Sequence, residues 1–107
     1  MAKRSRYALS FAPEAVDHLD LIASKYHGLL RRTIKEQLTY RPTVETRNRK
    51  PLDQPAPFEA SWELRCGPDN RFRIFYDVDA AAHEVQVLAI GVKDRNRLVI
   101  GGEEYES

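Results

Sequence analysis

Between Arg6 and Phe11 the chain alternates, with Tyr7, Leu9 and Phe11 on one side and Arg6, Ala8 and Ser10 on the other. That period of two marks a short, half-buried strand. Pro13 follows, a residue suited to the first turn of a helix, where its missing N–H costs nothing. The spacing then lengthens: Ala15, Val16, Leu19, Ile22, Ala23 and Tyr26 fall on one stripe, which predicts a helix closed by Gly28. Leu30, Ile34 and Leu38 lie four apart and predict a second helix with Arg31, Arg32 and Lys35 facing outward. Arg41-Pro42 ends it, since proline disfavours helix in the residue before it. So short a link between helices predicts an antiparallel hairpin.

Residues 42–60 hold Pro42, Pro51, Pro55 and Pro57 and show no sustained period, so they read as a long, Pro-rich, basic loop, a kind often functional in small domains. The second half is β-rich. Trp62, Leu64 and Cys66 alternate with Ser61, Glu63 and Arg65. Turn residues Gly67 to Asn70 follow, and then Phe72, Ile74, Tyr76 and Val78 alternate with Arg71, Arg73, Phe75 and Asp77. After a second turn at Asp79 to His83, Val85, Val87 and Ala89 alternate with Gln86, Leu88 and Ile90. Three strands so closely spaced predict an antiparallel meander. The expected fold is α+β: a strand, a helix hairpin and a three-stranded meander, in one domain over residues 1–107 with an acidic tail at 99–107.

Composition narrows the picture. A chain of 107 residues with 42% hydrophobic and 31% charged positions suits one globular core. The net charge of +1 conceals local runs: Arg41, Arg47, Arg49 and Lys50 stand against Glu45, and Lys93, Arg95 and Arg97 against Asp94. Glu103, Glu104 and Glu106 then reverse the sign. Focused basic segments in a near-neutral chain point to a local anion site rather than a coating of nucleic acid by bulk charge. Cys66 alone excludes an internal disulfide, in keeping with a reducing cytosol. No apolar run is long enough for a signal core or a membrane span, so a cytoplasmic protein without membrane contact is expected. His18, His27 and His83 have no metal-ligand spacing and read as surface residues, and no metal or other cofactor is expected. Neither a glycine-rich phosphate loop nor a G-x-S-x-G motif is present, and Gly101-Gly102 reads as a turn.

Alternation also places the candidate chemistry. With the apolar set of each strand turned to the helices, Glu63, Arg65 and Arg73 share the opposite face, and Lys93 and Arg95 lie just beyond the last strand. Two arginines side by side on a sheet repel unless an anion joins them. That anion could be an RNA phosphate or an acidic partner segment, and Glu63 could equally form an ordinary cross-strand ion pair.

Three segments in this order carry a resemblance: W-E-L-R at Trp62 to Arg65, R-F-R-I-F-Y-D-V-D at Arg71 to Asp79, and V-L-A-I-G-V-K-D-R at Val87 to Arg95. Together with the T-R-N-R-K-P-L loop at Thr46 to Leu52 they resemble the RelE/ParE toxin superfamily, from about Tyr7 to Leu98. The resemblance implies a microbial RNase-like fold and the toxin role of a type II toxin–antitoxin pair. It implies a cognate antitoxin as partner, no sequence-specific DNA binding by the toxin alone, and a target in translation. RelE-like members cut mRNA in the ribosomal A site without a metal, whereas ParE-like members poison DNA gyrase. Arg73 matches the family's phosphate-contacting arginine, Arg65 an arginine often seen on the preceding strand, and Lys93 a basic catalytic position. The chain departs where RelE-type cutters carry lysines on the first meander strand, having Ser61 and Glu63, and where they carry a base-stacking aromatic, having Val99. Tyr105 could take the stacking role if the tail folds back.

RNA cleavage without a metal requires a base for the 2′-OH, cations at the phosphate and an acid for the leaving 5′-oxygen. Arg65 and Arg73 suit the second role, because the guanidinium fork matches phosphate oxygens and keeps its charge. Glu63 is the candidate base and Lys93 the candidate acid. Arg47, Arg49, Lys50, Arg95 and Arg97 are candidate contacts to RNA backbone, which position rather than specify. A gyrase-directed toxin and an inactive toxin-fold protein that only binds an antitoxin are the rival readings.

Overall fold

Strand β1 occupies Ala8–Phe11 in the computed structural model, which describes residues 5–105. The basic start at Lys3 and Arg4 and the tail acid Glu106 lie outside the described residues. Ala12 is extended and Pro13 opens α1, Pro13–Asp20, with Glu14 in the first turn, where a carboxylate favours the positive end of the helix dipole. This helix stops eight residues before the expected Gly28. The reason is an ambiguity of period: Tyr26, Leu30, Ile34 and Leu38 are also four apart, so Tyr26 fits the second stripe as well as the first. A 3-10 turn at Ser24–Tyr26 leads straight into α2, His27–Leu38, and Gly28 lies inside its first turn. The ring Nε2 of His27 lies 2.7 Å from the Ile22 carbonyl and ties the linker to the start of α2.

The expected meander is the centre of a larger sheet. Strands β3 (Trp62–Cys66), β4 (Phe72–Asp79) and β5 (Glu84–Asp94) pair antiparallel as predicted. The proline-rich segment adds β2 (Arg49–Pro51) beside β3, and the stretch read as an acidic tail adds β6 (Arg97–Ile100) and β7 (Glu103–Tyr105). Among the described residues the sheet has seven strands in the order β2-β3-β4-β5-β6-β7, with β1 parallel to β5. These extra strands are three or four residues long and carry Pro51 or flank Gly101-Gly102, so they are too short to display a period.

Beside β4, strand β5 is shared along its other edge. β1 covers Glu84 to Val87 and β6 covers Gly91 to Asp94. Between them, the Ile90 N–H donates to Nδ1 of His18 at 3.2 Å. His18 is therefore buried, not the surface residue expected, because a buried N–H with no strand beside it needs another acceptor.

A β-bulge divides β5 into two phases. Phe75 pairs with Ala89 but Tyr76 pairs with Val87, which leaves Leu88 without a partner on β4. Before it, Val85 and Val87 face the helices; after it, Ile90 does, and Ala89 turns to the opposite face. The simple alternation expected over residues 85–90 is thus broken in the middle. Two cores result. Leu19, Leu30, Ile34 and Leu38 of the helices close on Leu64, Ile74, Tyr76, Val87 and Ile90. On the other face Phe75, Ala89, Leu98 and Ile100 pack with Ala60, Leu52 and Tyr105, so the proline-rich loop covers part of the face that seemed bare in sequence. Tyr76 is fully buried, and its hydroxyl donates to the Pro42 carbonyl at 2.7 Å, fixing the end of the helical region to the sheet. Trp62 packs against this core, stacked on Tyr76 at 6.2 Å between ring centroids.

Candidate functional site

The residues that bear charge fall on the loop-covered face by register. Lys50 opposes Glu63 across β2 and β3, Arg65 opposes Arg73 across β3 and β4, and Arg73 opposes Gly91 of β5. Lys93 comes two residues later, on the same side as Gly91. The missing side chain at Gly91 matters here: a Cβ would stand 2.9 Å from Cγ1 of Ile100 and 3.1 Å from Cδ1 of Leu98. That face has no room for another side chain between Arg73 and β6.

Lys50, Glu63, Arg65, Arg73 and Lys93 line one cavity of about 420 Å³. Phe75 and Leu98 contribute apolar surface, and Pro55, Ala56, Pro57 and Asp53 of the loop form a wall. Four cations face two carboxylates in this space, a local excess of positive charge in a chain close to neutrality overall. Glu63 sits among them. Its Oε1 accepts from Arg65 Nε at 2.8 Å and lies 3.7 Å from Arg73 Nη1, with both the Glu63 and Arg73 side chains largely shielded. The cross-strand arginine pair thus shares a single carboxylate. Burial, and then the neighbouring Arg65, hold the Arg73 guanidinium below its ordinary pKa, while Glu63 opposes them. The group nevertheless keeps its charge at neutral pH. Its Nε donates to the Asn70 carbonyl at 3.2 Å, which aims the outer nitrogens into the cavity. Arg73 makes no other hydrogen bond among the described residues, so its Nη groups have donors to spare for an added anion.

The remaining basic candidates separate. Arg49 is buried on the helix side, opposite Leu64. Its guanidinium donates to the Val44 carbonyl at 2.9 Å, the Gln37 carbonyl at 2.9 Å and Gln37 Oε1 at 2.7 Å. It holds the loop to the end of α2 and is not available to RNA, because β2 turns its side chain away from Lys50. Arg47 is exposed in the turn before β2 and does not line the cavity. Arg95 sits in the β5–β6 turn at φ 58°, exposed, and Arg97 pairs with Asp94 on the opposite face from Lys93. Tyr105, on β7, pairs with Leu98, so the tail does fold back and brings this ring beside the cavity's apolar edge. Phe58, half exposed in the loop, lies 5.9 Å from it between ring centroids. Phe58, Asp53 and the Pro55–Pro57 wall gave no signal in sequence beyond the density of proline.

Cys66 is no alternative nucleophile, since it is buried and that burial pushes its thiol up to about 11. Among the described residues no group of three His, Cys, Asp or Glu side chains is placed to hold a metal ion, and no helix is long and apolar enough to cross a membrane.

No known family profile matches the chain, and no curated protein matches it. Among solved structures, it matches a chain in the crystal structure of the toxin–antitoxin complex RelBE2 from Mycobacterium tuberculosis, with a TM-score of 0.63 at 17% sequence identity. The match covers 82% of this chain and 99% of that one. At so low an identity the likeness concerns backbone architecture, and the chain has the α+β fold seen in that toxin–antitoxin complex.

Proposed function

We propose that this chain is the toxin of a type II toxin–antitoxin pair, a cytoplasmic endoribonuclease that cuts mRNA on the ribosome without a metal and is held in check by an antitoxin protein. The observation that carries the reading is the cavity in which Arg65 and Arg73 oppose one another across two strands beside Lys50 and Lys93. Such a cluster suits a phosphodiester: Arg73 and Arg65 receive the non-bridging oxygens, and their charge stabilises the extra negative charge of the transition state. The substrate's 2′-OH attacks phosphorus and the bond to the 5′-oxygen breaks, leaving a cyclic phosphate and a 5′-OH. Lys93 supplies the proton to the leaving oxygen. Glu63 accepts the proton of the 2′-OH once the phosphate has drawn the arginines from it. Tyr105 offers a ring on which a neighbouring base can stack, and Lys50 contacts the backbone.

The test is inducible expression in bacteria beside an Arg73→Ala variant, with mRNA 5′ ends mapped after induction. New, codon-phased ends that disappear with Arg73→Ala are expected, with a loss of cleavage of about 100-fold or more for removing such a phosphate-stabilising donor. Growth arrest with intact mRNA would transfer the reading to gyrase or another target. No arrest at all would make the chain an inactive member of the fold.

A further inference from the structure

His18 is reached from both layers of the protein. Strands β1 and β6 leave a gap along the edge of β5, and His18 of α1 fills it, its Nδ1 accepting from the Ile90 N–H at 3.2 Å. The rest of the imidazole is in contact as well. Gly101 opens the turn that leads from β6 into β7 and Tyr105, and a Cβ there would stand 2.9 Å from Cδ2 and 3.0 Å from Nε2 of His18. From the loop side the Phe58 ring meets His18 edge-on, at 5.3 Å between centroids with the planes at 76°. The same Phe58 ring leans on Tyr105, tilted by 38°. The backbone beneath it is strained: Phe58 has φ 57° and Glu59 φ 55°, left-handed values that bulky side chains rarely adopt. Leu52 and Ala60 of the same segment enter the core on that face, whereas Phe58 stays outside it. Backbone strain that keeps an aromatic ring out of the core points to a use for that ring outside it.

We infer that His18 is a positioning residue for the cleavage site: from the gap it sets the Gly101 turn and the Phe58 ring, and these hold Tyr105 at the edge of the cavity to receive a base. The inference rests on the stacking role proposed above for Tyr105 and supplies that ring's support. A stacking ring serves best when its plane is fixed before the base arrives, since ordering it on binding costs affinity. Tyr105 comes from a three-residue strand at the edge of the sheet, too short to fix a ring unaided. Capping one N–H requires only an acceptor, whereas filling the space between Gly101 and Phe58 requires the imidazole. The arrangement also responds to pH. With Nδ1 accepting, the proton of the neutral ring sits on Nε2; a second proton on Nδ1 sets donor against donor at Ile90 and expels the ring. Phe58, Ile90 and Gly101, which touch the ring from the loop, β5 and the turn, carry no charge, and Asp17 and Glu14 of its own helix are the acids that act on it. Burial outweighs their pull, so the ring is displaced only below the ordinary histidine range.

The experiment uses the full chain with isotope-labelled tyrosine rings and reads their NMR signals, Tyr105 being assigned by its absence in Tyr105→Phe. Phe58→Leu gives the chemical shift of Tyr105 without its neighbouring ring. His18→Asn keeps an acceptor for Ile90 and removes the imidazole. It should restore most of the stability that His18→Ala loses, while still moving the Tyr105 signal towards its position in Phe58→Leu. Lowering the pH from 7.5 to 5 should move the signal the same way in the parent and not in His18→Asn. In cleavage on programmed ribosomes, His18→Asn and Tyr105→Ala should each raise KM about tenfold, the worth of one stacked base, and the double variant should be no worse than Tyr105→Ala alone. A Tyr105 signal in His18→Asn that matches the parent's, or cleavage at the parental KM, reduces His18 to a cap on Ile90 and overturns the inference. Phe58→Leu, at an exposed residue, keeps the test open if His18→Asn unfolds: cleavage at the parental KM is then the overturning result. The two readings fail separately. A Tyr105 signal that follows His18 in a protein that cuts no RNA sinks the nuclease reading alone, and Arg73-dependent cleavage indifferent to His18 and Phe58 sinks the positioning role alone.

Discussion

Glu63 is the place to test the electrostatic logic of the cavity, through Glu63→Gln. The substitution keeps the shape of the side chain and removes the one carboxylate that Arg65 and Arg73 share. Two consequences pull in opposite directions. The charged hydrogen bond from Arg65 Nε at 2.8 Å becomes a weaker, neutral one, and the cross-strand arginine opposition is left uncompensated. A hydrogen bond to a charged group contributes about 1.5–3 kcal/mol, and a third of the Arg65 side chain is open to screening water, so a loss of about 1–2 kcal/mol is expected. In a domain of this size that lowers the melting temperature by roughly 4–15 °C. At the same time the anion site becomes vacant. Sulfate, which carries the charge of a phosphate without its chemistry, should bind the variant more tightly than the parent.

The assay is thermal unfolding of both proteins across a sulfate series, with chloride at matched ionic strength as the control. Ligand present at 100 times its Kd adds about 2.7 kcal/mol to a folded state that alone binds it. The variant should therefore start lower and climb further with sulfate, until the two curves approach one another. Equal melting temperatures without sulfate, or parallel responses to it, would refute the idea that Glu63 holds the place of a bound anion. It would then be a bystander on a sheet face. Cleavage by the same variant tests the other role: a toxin as active as its parent would remove Glu63 as the base.

Arg49→Met should cost about 2–4 kcal/mol, since it removes three hydrogen bonds and leaves acceptors on Val44 and Gln37 unpaired, yet any cleavage by the folded fraction should keep its codon pattern; chemical denaturation beside 5′-end mapping checks both. His18 gives a pH prediction whose sign follows from its burial, which lowers its pKa in the fold against the smaller opposing pull of Asp17 and Glu14. The unfolded chain then takes up the proton first, so stability is complete above the ordinary histidine range near pH 6.5 and declines as pH falls below it. Urea midpoints from pH 7.5 to 5 should show that decline. His18→Ala should flatten it while lowering stability by about 1–3 kcal/mol at every pH, because the Ile90 N–H loses its acceptor.

Period alone located the long elements. The four-residue spacing of Leu30, Ile34 and Leu38 and the alternation of Phe72, Ile74 and Tyr76 both survive in the structure as the two halves of the main core. The misplaced helix boundary and the unseen strands share a cause, which is that short segments leave too few positions to distinguish one period from another. Arg49 exposes a different blind spot. In sequence it belongs with Arg47 and Lys50 as one basic run, and only the pairing of β2 with β3 sends Lys50 to the cavity and Arg49 into the protein. Charge counted along the chain cannot see that split, because neighbours in a strand point to opposite faces.

The bulge at Leu88 is the feature on which the site depends most. Count β5 in strict twos from Val85, which faces the helices, and Val87, Ala89, Gly91 and Lys93 all follow it there. Lys93 would then be buried in the main core, on the wrong side of the sheet from Arg73. One unpaired residue between Val87 and Ala89 reverses the phase for the rest of the strand. Ala89 and Gly91 turn to the cavity side, Ile90 replaces them over the helices, and Lys93 joins Arg65 and Arg73. In sequence Lys93 joins the arginines only if the strand ends before it, whereas β5 continues through Asp94. The meeting of Lys93 with Lys50, Arg65 and Arg73 is therefore the product of an irregularity. A strand regular enough to be read without error from its hydrophobic pattern could not have brought Lys93 there.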